Sequence, residues 1–99
     1  MIAILSVLKN WKNLLGYKLL IDDKVVKDLK KIDKHWQIKI IEIIKERLLD
    51  NPYIGKKLVG DLSPYYRYRI GDYRVIYEIV DDELMIIIVK IKHRKDVYK

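Results

Sequence analysis

Apolar residues recur at helical spacing through the first half of the chain and alternate with polar ones through part of the second. Val25, Val26, Leu29 and Ile32 form one stripe, behind Asp22 and Asp23, either of which can cap a helix. Trp36, Ile40, Ile41, Ile44 and Leu48 form the stripe of a second helix. It is predicted from about Lys34 to Asp50 and is stopped by Asn51-Pro52. The tight connection predicts an antiparallel pair. Tyr17 to Asp22 predicts a short strand ahead of it.

Residues 51–64 hold both prolines and two of the four glycines, a loop composition. Next come Tyr-Tyr-Arg-Tyr-Arg-Ile over 65–70 and Tyr-Arg-Val-Ile-Tyr-Glu-Ile-Val over 73–80, joined by Gly71-Asp72. Glycine first in a two-residue loop suits a type II′ hairpin turn. That turn pairs Ile70 with Tyr73, Arg69 with Arg74, and Arg67 with Ile76. One face then carries Tyr66, Tyr68, Ile70, Tyr73, Val75, Tyr77 and Ile79, a core face. The other carries Tyr65, Arg67, Arg69, Arg74, Ile76 and Glu78. Leu84 to Ile91 shows no alternation, which predicts a central strand buried on both faces. The expected architecture is α+β: a small antiparallel sheet with two antiparallel helices packed on one face, the arginine face left uncovered.

Residues 1–16 precede this domain of residues 17–99. Their apolar run is too short to span a membrane and lacks the basic start and cleavage site of a signal peptide. An amphipathic helix ending at Gly16 is one reading of this extension; a start codon further along is the other. The length allows one modest core. Without cysteine there is no disulfide framework and no thiolate chemistry, and two histidines make a structural zinc site implausible. The composition fits a cytoplasmic protein.

The net charge of +7 favours an acidic partner. Most of that charge is lysine, scattered along the chain. Four of the five arginines, Arg67, Arg69, Arg74 and Arg94, fall in the last third. Arginine holds a phosphate or carboxylate bidentately and stays charged. Arg69 and Arg74 stand opposite each other, which is destabilising unless an anion sits between them. The alternative is a solvated sheet face partly neutralised by Glu78. The tail adds His93 and Tyr98, two groups able to move a proton, beside Arg94. Tyr65 and Trp36 could stack a base, with core packing the other role for Trp36.

The stretch Asn51-Pro52, Gly55-Lys56-Lys57-Leu58, Gly60-Asp61-Leu62, then Tyr66-Arg67-Tyr68-Arg69-Ile70-Gly71-Asp72-Tyr73-Arg74-Val75-Ile76-Tyr77 and the tail His93-Arg94-Lys95-Asp96-Val97-Tyr98 resembles the RelE/ParE superfamily of type II toxins. The likeness covers residues 17 to 99; residues 1–16 fall outside it. It implies a RelE-like fold and a metal-independent, cofactor-free messenger-RNA endoribonuclease that acts on the ribosome. The ribose 2′-OH would attack the adjacent phosphate. A cognate antitoxin would be the protein partner, with ribosome and mRNA as targets and no membrane. By the same resemblance the catalytic set falls on Arg67, Arg69, Arg74, Arg94 and Tyr98, and His93 sits where some members carry a catalytic histidine. Some members have lysine where this chain has Arg67 and Arg69. Arginine binds charge without exchanging a proton, which shifts proton transfer onto His93 and Tyr98. The rival implied by the same superfamily is a ParE-like toxin that inhibits DNA gyrase by binding and cleaves nothing.

Overall fold

The computed structural model describes residues 17–60 and 64–97. The expected extension, residues 1–16, and Tyr98 lie outside the described residues.

The described residues open with strand β1 (Lys18–Ile21), which turns at once into helix α1 (Asp23–Lys30). Of the two candidate caps, Asp22 is the one used: its carboxylate accepts from the Lys24 N–H at 2.8 Å. Asp33 caps helix α2 (Lys34–Ile43) in the same way, accepting from the His35 N–H at 3.1 Å. Between the helices, Gln37 is buried and its Nε2 donates to the Ile32 carbonyl at 2.8 Å, fixing the turn. The second helix widens into π-type bonding over Ile44–Leu48, where the Leu49 N–H reaches back to the Ile44 carbonyl. Asn51 then caps a single 3-10 turn, Pro52–Ile54.

The sheet has five strands in the order β1-β5-β4-β3-β2. Strand β2 is only Lys56–Lys57, β3 is Tyr66–Ile70, β4 is Tyr73–Val80 and β5 is Met85–His93. A one-turn helix α3, Arg94–Val97, comes after β5. The α+β class and the two helices on one sheet face are as the patterning predicts. Three details differ. The sheet is antiparallel from β5 to β2, but β1 joins β5 in parallel, which the long connection through both helices and three strands allows. Residues 51–64 are not loop throughout, since Lys56 and Lys57 pair with Arg67 and Tyr66 as an edge strand. Finally, β4 is the middle strand and β5 lies beside it. Ile86, Ile88 and Ile91 of β5 are buried under the helices, whereas Ile87 and Val89 on the other face are half-buried and Lys90 is exposed. The apolar run reflects an interior strand with one covered face rather than two.

One core joins these layers. Val25 and Leu29 of α1, Ile40, Ile41 and Ile44 of the second helix, and Ile70, Val75, Tyr77 and Ile88 of the sheet are all buried in it. The expected helix stripes are the ones that face it. Tyr77 is fully buried, and its hydroxyl donates to the Pro52 carbonyl at 2.6 Å. Burial holds that phenol neutral, pushing its pKa up to about 12.

A cation-lined candidate site on the open sheet face

The β3–β4 hairpin has the predicted register: Ile70 opposite Tyr73, Arg69 opposite Arg74, Arg67 opposite Ile76. Gly71 takes φ +58°, a conformation that L side chains rarely adopt. A Cβ there would also clash with the Trp36 ring. Trp36 therefore packs over the turn and against Tyr73, with ring centroids 5.6 Å apart, in its structural role.

Alternation along β4 sends Val75 and Tyr77 inward and Arg74 outward. Strand β5 complicates this simple rule. Tyr77 pairs with Ile88 but Ile76 pairs with Lys90, so an extra residue is inserted at Val89. The bulge reverses the parity of the rest of the strand. Lys90 and Lys92 now share the face of Ile76 and Arg74, while Ile91 and His93 share the face of Val75 and Tyr73.

Two rows of cations cross the open face as a result. One runs Arg69, Arg74, Lys92 across three strands; the other runs Lys56, Arg67, Ile76, Lys90 across four. Like charges in direct opposition are destabilising. A cleft of about 580 Å³ opens beside them, lined by Tyr65, Arg67, Arg74, Lys90 and Lys92 together with Lys24 and Asp28 of α1. Arg74 lines the cleft, and its Nη1 is buried without a hydrogen-bond partner among the described residues. A buried donor left unmade is costly, so an acceptor brought into the cleft would find it waiting.

The other predicted residues are placed apart from this cleft. Arg69 is exposed, and its Nε donates to the Gly71 carbonyl at 3.0 Å, which folds it over the turn. Arg94 also faces the turn: its backbone N–H donates to the Asp72 carbonyl at 2.6 Å and its guanidinium stands 3.9 Å from the Asp72 carboxylate. These contacts tie the start of the tail to the hairpin tip. His93 lies on the helix side, edge-on to Tyr73 with centroids 5.1 Å apart. Its Nδ1 accepts the Lys95 N–H at 3.1 Å, so the ring proton of neutral His93 sits on Nε2. His93 borders a second cleft of about 450 Å³ between β5 and the α1–α2 turn. Lys90 and Lys92, which complete the cation rows, were not among the residues singled out from sequence. Among sixteen lysines nothing marks them except a bulge that no sequence pattern announces.

The fold and the open face define a small α+β domain with cations lined up across one side of its sheet. The family model described as ParE toxin of type II toxin-antitoxin system, parDE, matches residues 19–98. The chain is 32% identical over 84 residues to toxin RelE of Mycobacterium tuberculosis, covering 84% of this chain and 87% of the relative. It is 39% identical over 84 residues to the putative toxin RelE1 of Methanocaldococcus jannaschii, covering 80% and 91%. It superposes with a TM-score of 0.76 at 26% identity on a chain of the M. tuberculosis toxin–antitoxin complex RelBE2, covering 80% of this chain and 99% of that one. A chain of the Methanococcus jannaschii RelB–RelE antitoxin–toxin complex gives a TM-score of 0.62 at 31% identity, covering 81% and 95%. The chain belongs to the RelE/ParE superfamily of type II toxins, in its RelE family.

Proposed function

We propose that this toxin is a metal-independent messenger-RNA endoribonuclease that works on the ribosome. The observation that carries this is the pair of neighbouring cation rows, one centred on Arg74, whose Nη1 is buried and, among the described residues, unpartnered. A phosphodiester satisfies that donor and removes the repulsion between the rows. The 2′-oxygen attacks the adjacent phosphorus and the bond from phosphorus to the 5′-oxygen breaks. The products are a 2′,3′-cyclic phosphate and a 5′-OH. Arg67 and Arg74 stabilise the charge that builds on the phosphorane, a contribution that can be the largest in such a site. Arg69 and Arg94, held at the hairpin tip, bind the neighbouring backbone.

Arginine binds charge and moves no proton. His93 has its Nδ1 engaged by the Lys95 N–H and offers Nε2–H as a donor, so the 2′-OH proton goes to the phenolate oxygen of Tyr98. Lys92, opposite Arg74, is the cleft cation that can protonate the leaving 5′-oxygen. On free RNA the 2′-OH is left unoriented above an open sheet face. A ribosome that holds the message in line supplies the missing orientation, and cleavage of free RNA is slow.

The protein partner on this reading is a cognate antitoxin. The RelBE2 and RelB–RelE matches are complexes of toxin with antitoxin. An acidic amphipathic segment would complement a chain of net charge +7, covering the helices or a sheet edge and screening the arginines. Among the described residues no helix is long and apolar enough to cross a membrane, and the site of action would be the cytoplasm, with the ribosomes.

The ParE description of the matching family model favours one rival, a gyrase inhibitor that binds and does not cut. Primer extension on cellular messages after induction separates the two. Discrete cuts within translated codons, lost in Arg74→Ala, support the nuclease. Whole messages with blocked supercoiling support the rival.

A further inference from the structure

The open face of the sheet is cationic over only half its length. Towards the end away from the hairpin turn, the row after Arg67 runs Glu78, Ile87, Leu20, and the next runs Val80, Met85, Lys18. Both helices lie on the other face. Leu20, Val80, Met85 and Ile87 are half-buried, so each keeps apolar surface in the open, and such a patch marks a contact surface. Glu78, half-buried beside them, makes no ion pair among the described residues.

Residues 1–16 carry the complement in their sequence. Read as a helix, Ile4, Leu8, Trp11 and Leu15 fall on one stripe, with Val7 and Leu14 beside it. Ser6, Lys9, Asn10 and Asn13 fall on the opposite side, and Lys12 flanks the stripe. Gly16 ends the pattern, and Lys18 already pairs with Met85 in the second apolar row. Only Gly16 and Tyr17 therefore separate the segment from the patch. These residues also precede the part of the chain that the family match covers.

We propose that residues 1–16 fold back as an amphipathic helix across the apolar half of the open face and cover it. The helix crosses the strands rather than running up them, because the positive end of its dipole is repelled by the arginine rows. Successive stripe residues, three or four apart, rise about 5 Å, which is also the spacing of strands. Leu15, Trp11 and Leu8 then fall in turn over Leu20 of β1, Ile87 of β5 and Val80 of β4. Lys12 reaches Glu78 and supplies the cation that the patch lacks. The cation rows stay open, and the segment forms a wall along one side of them. A partner with an apolar stripe gains this half of the sheet only by displacing it.

The test uses the full chain carrying Trp36→Phe, which leaves Trp11 as its one tryptophan. Trp11 emission is expected at the short wavelength of a buried indole and unchanged on dilution. Ile87→Asp on the face, or Leu8→Asp on the segment, should each shift it to the wavelength of a solvated indole, with the melting transition of the domain kept. The chain has no cysteine, so a second measurement is clean. Val80→Cys with Leu8→Cys should form a disulfide within one chain on oxidation. Val80→Cys with Asn10→Cys, on the opposite side of the segment, should not. These milder changes serve if Ile87→Asp does not fold. A solvated Trp11 in the parent chain, or equal cross-linking of the two cysteine pairs, overturns the proposal. So does a short-wavelength emission that appears only as the chain is concentrated, which assigns the segment to a second copy. An emission that moves only when anionic phospholipid vesicles are added overturns it too, and assigns the segment to a membrane surface.

Discussion

The two faces of the β3–β4 hairpin are made by the same residues in alternation, yet they obey opposite rules. The inner face satisfies itself: Ile70, Val75 and Tyr77 are buried in one core and the Tyr77 hydroxyl has its acceptor. The outer face opposes Arg69 to Arg74 and Arg74 to Lys92, and leaves a buried guanidinium nitrogen without a partner among the described residues. A sequence selected for stability alone would not place three cations in one row. The inner face explains why the domain folds, and the outer face carries the function proposed for it. Substitutions on the two faces should therefore separate stability from activity.

The largest expected effect is on the inner face. Tyr77→Ala removes a fully buried ring and should cost about 4 kcal/mol, read by chemical denaturation, with activity lost because the fold is lost. Arg74→Ala should do the reverse. Toxicity should fall by about a hundredfold or more, as when a charge-stabilising donor is removed, while the melting temperature holds or rises slightly. A collapse of the Arg74→Ala melting transition would mean the outer face is structural and the contrast is wrong.

Gly71→Ala sharpens the contrast at the point where the faces meet. It combines a strained φ of +58° with a clash against Trp36. The expected loss is about 2 kcal/mol in thermal or denaturant unfolding. Tyr77→Phe keeps the ring and removes only the bond to Pro52, so about 1 kcal/mol should go, with activity intact.

The smallest effect lies at the far end of the sheet, where the Tyr17 and Tyr53 hydroxyls both donate to the Asp81 carboxylate. These bonds hold the Asp81 pKa below its ordinary value and push Tyr53 up to about 12. For the depressed carboxylate, the stability contributed is present above the ordinary carboxylate range and is lost as pH falls through the lowered value. For the raised phenol, it is present below pH about 10 and is lost as pH rises towards about 12. An Asp81→Asn chain should show flatter stability at both pH extremes and unchanged RNA cutting.

Much of this was legible in the sequence. The hairpin register came from Gly71-Asp72 between two alternating runs, because a two-residue loop leaves one pairing and alternation fixes the faces. Both helices came from stripe and cap. The misses have physical causes. A two-residue strand, Lys56–Lys57, is too short to carry a period. The apolar run of β5 hid which of its faces is covered. Most consequential was the bulge between Ile88 and Lys90. Plain alternation carried past Ile88 puts His93 on the open face and Lys92 in the core. One inserted residue exchanges them, which is why the tail histidine lies apart from the arginines and a lysine stands in the row. Residues 1–16 and Tyr98 lie outside the described residues, so the extension and the tail tyrosine stand on sequence alone.

The central claim is that the outer-face cations bind a scissile phosphate. Cleavage by the purified chain on ribosomes programmed with a defined message, beside the same message free in solution, tests it most directly. The predicted result is a cut in the A-site codon that leaves a 2′,3′-cyclic phosphate, slow or absent cutting of free RNA, and no cutting by Arg74→Ala despite a native melting profile. An intact message on the ribosome with wild-type protein, or undiminished cutting by Arg74→Ala, would contradict it.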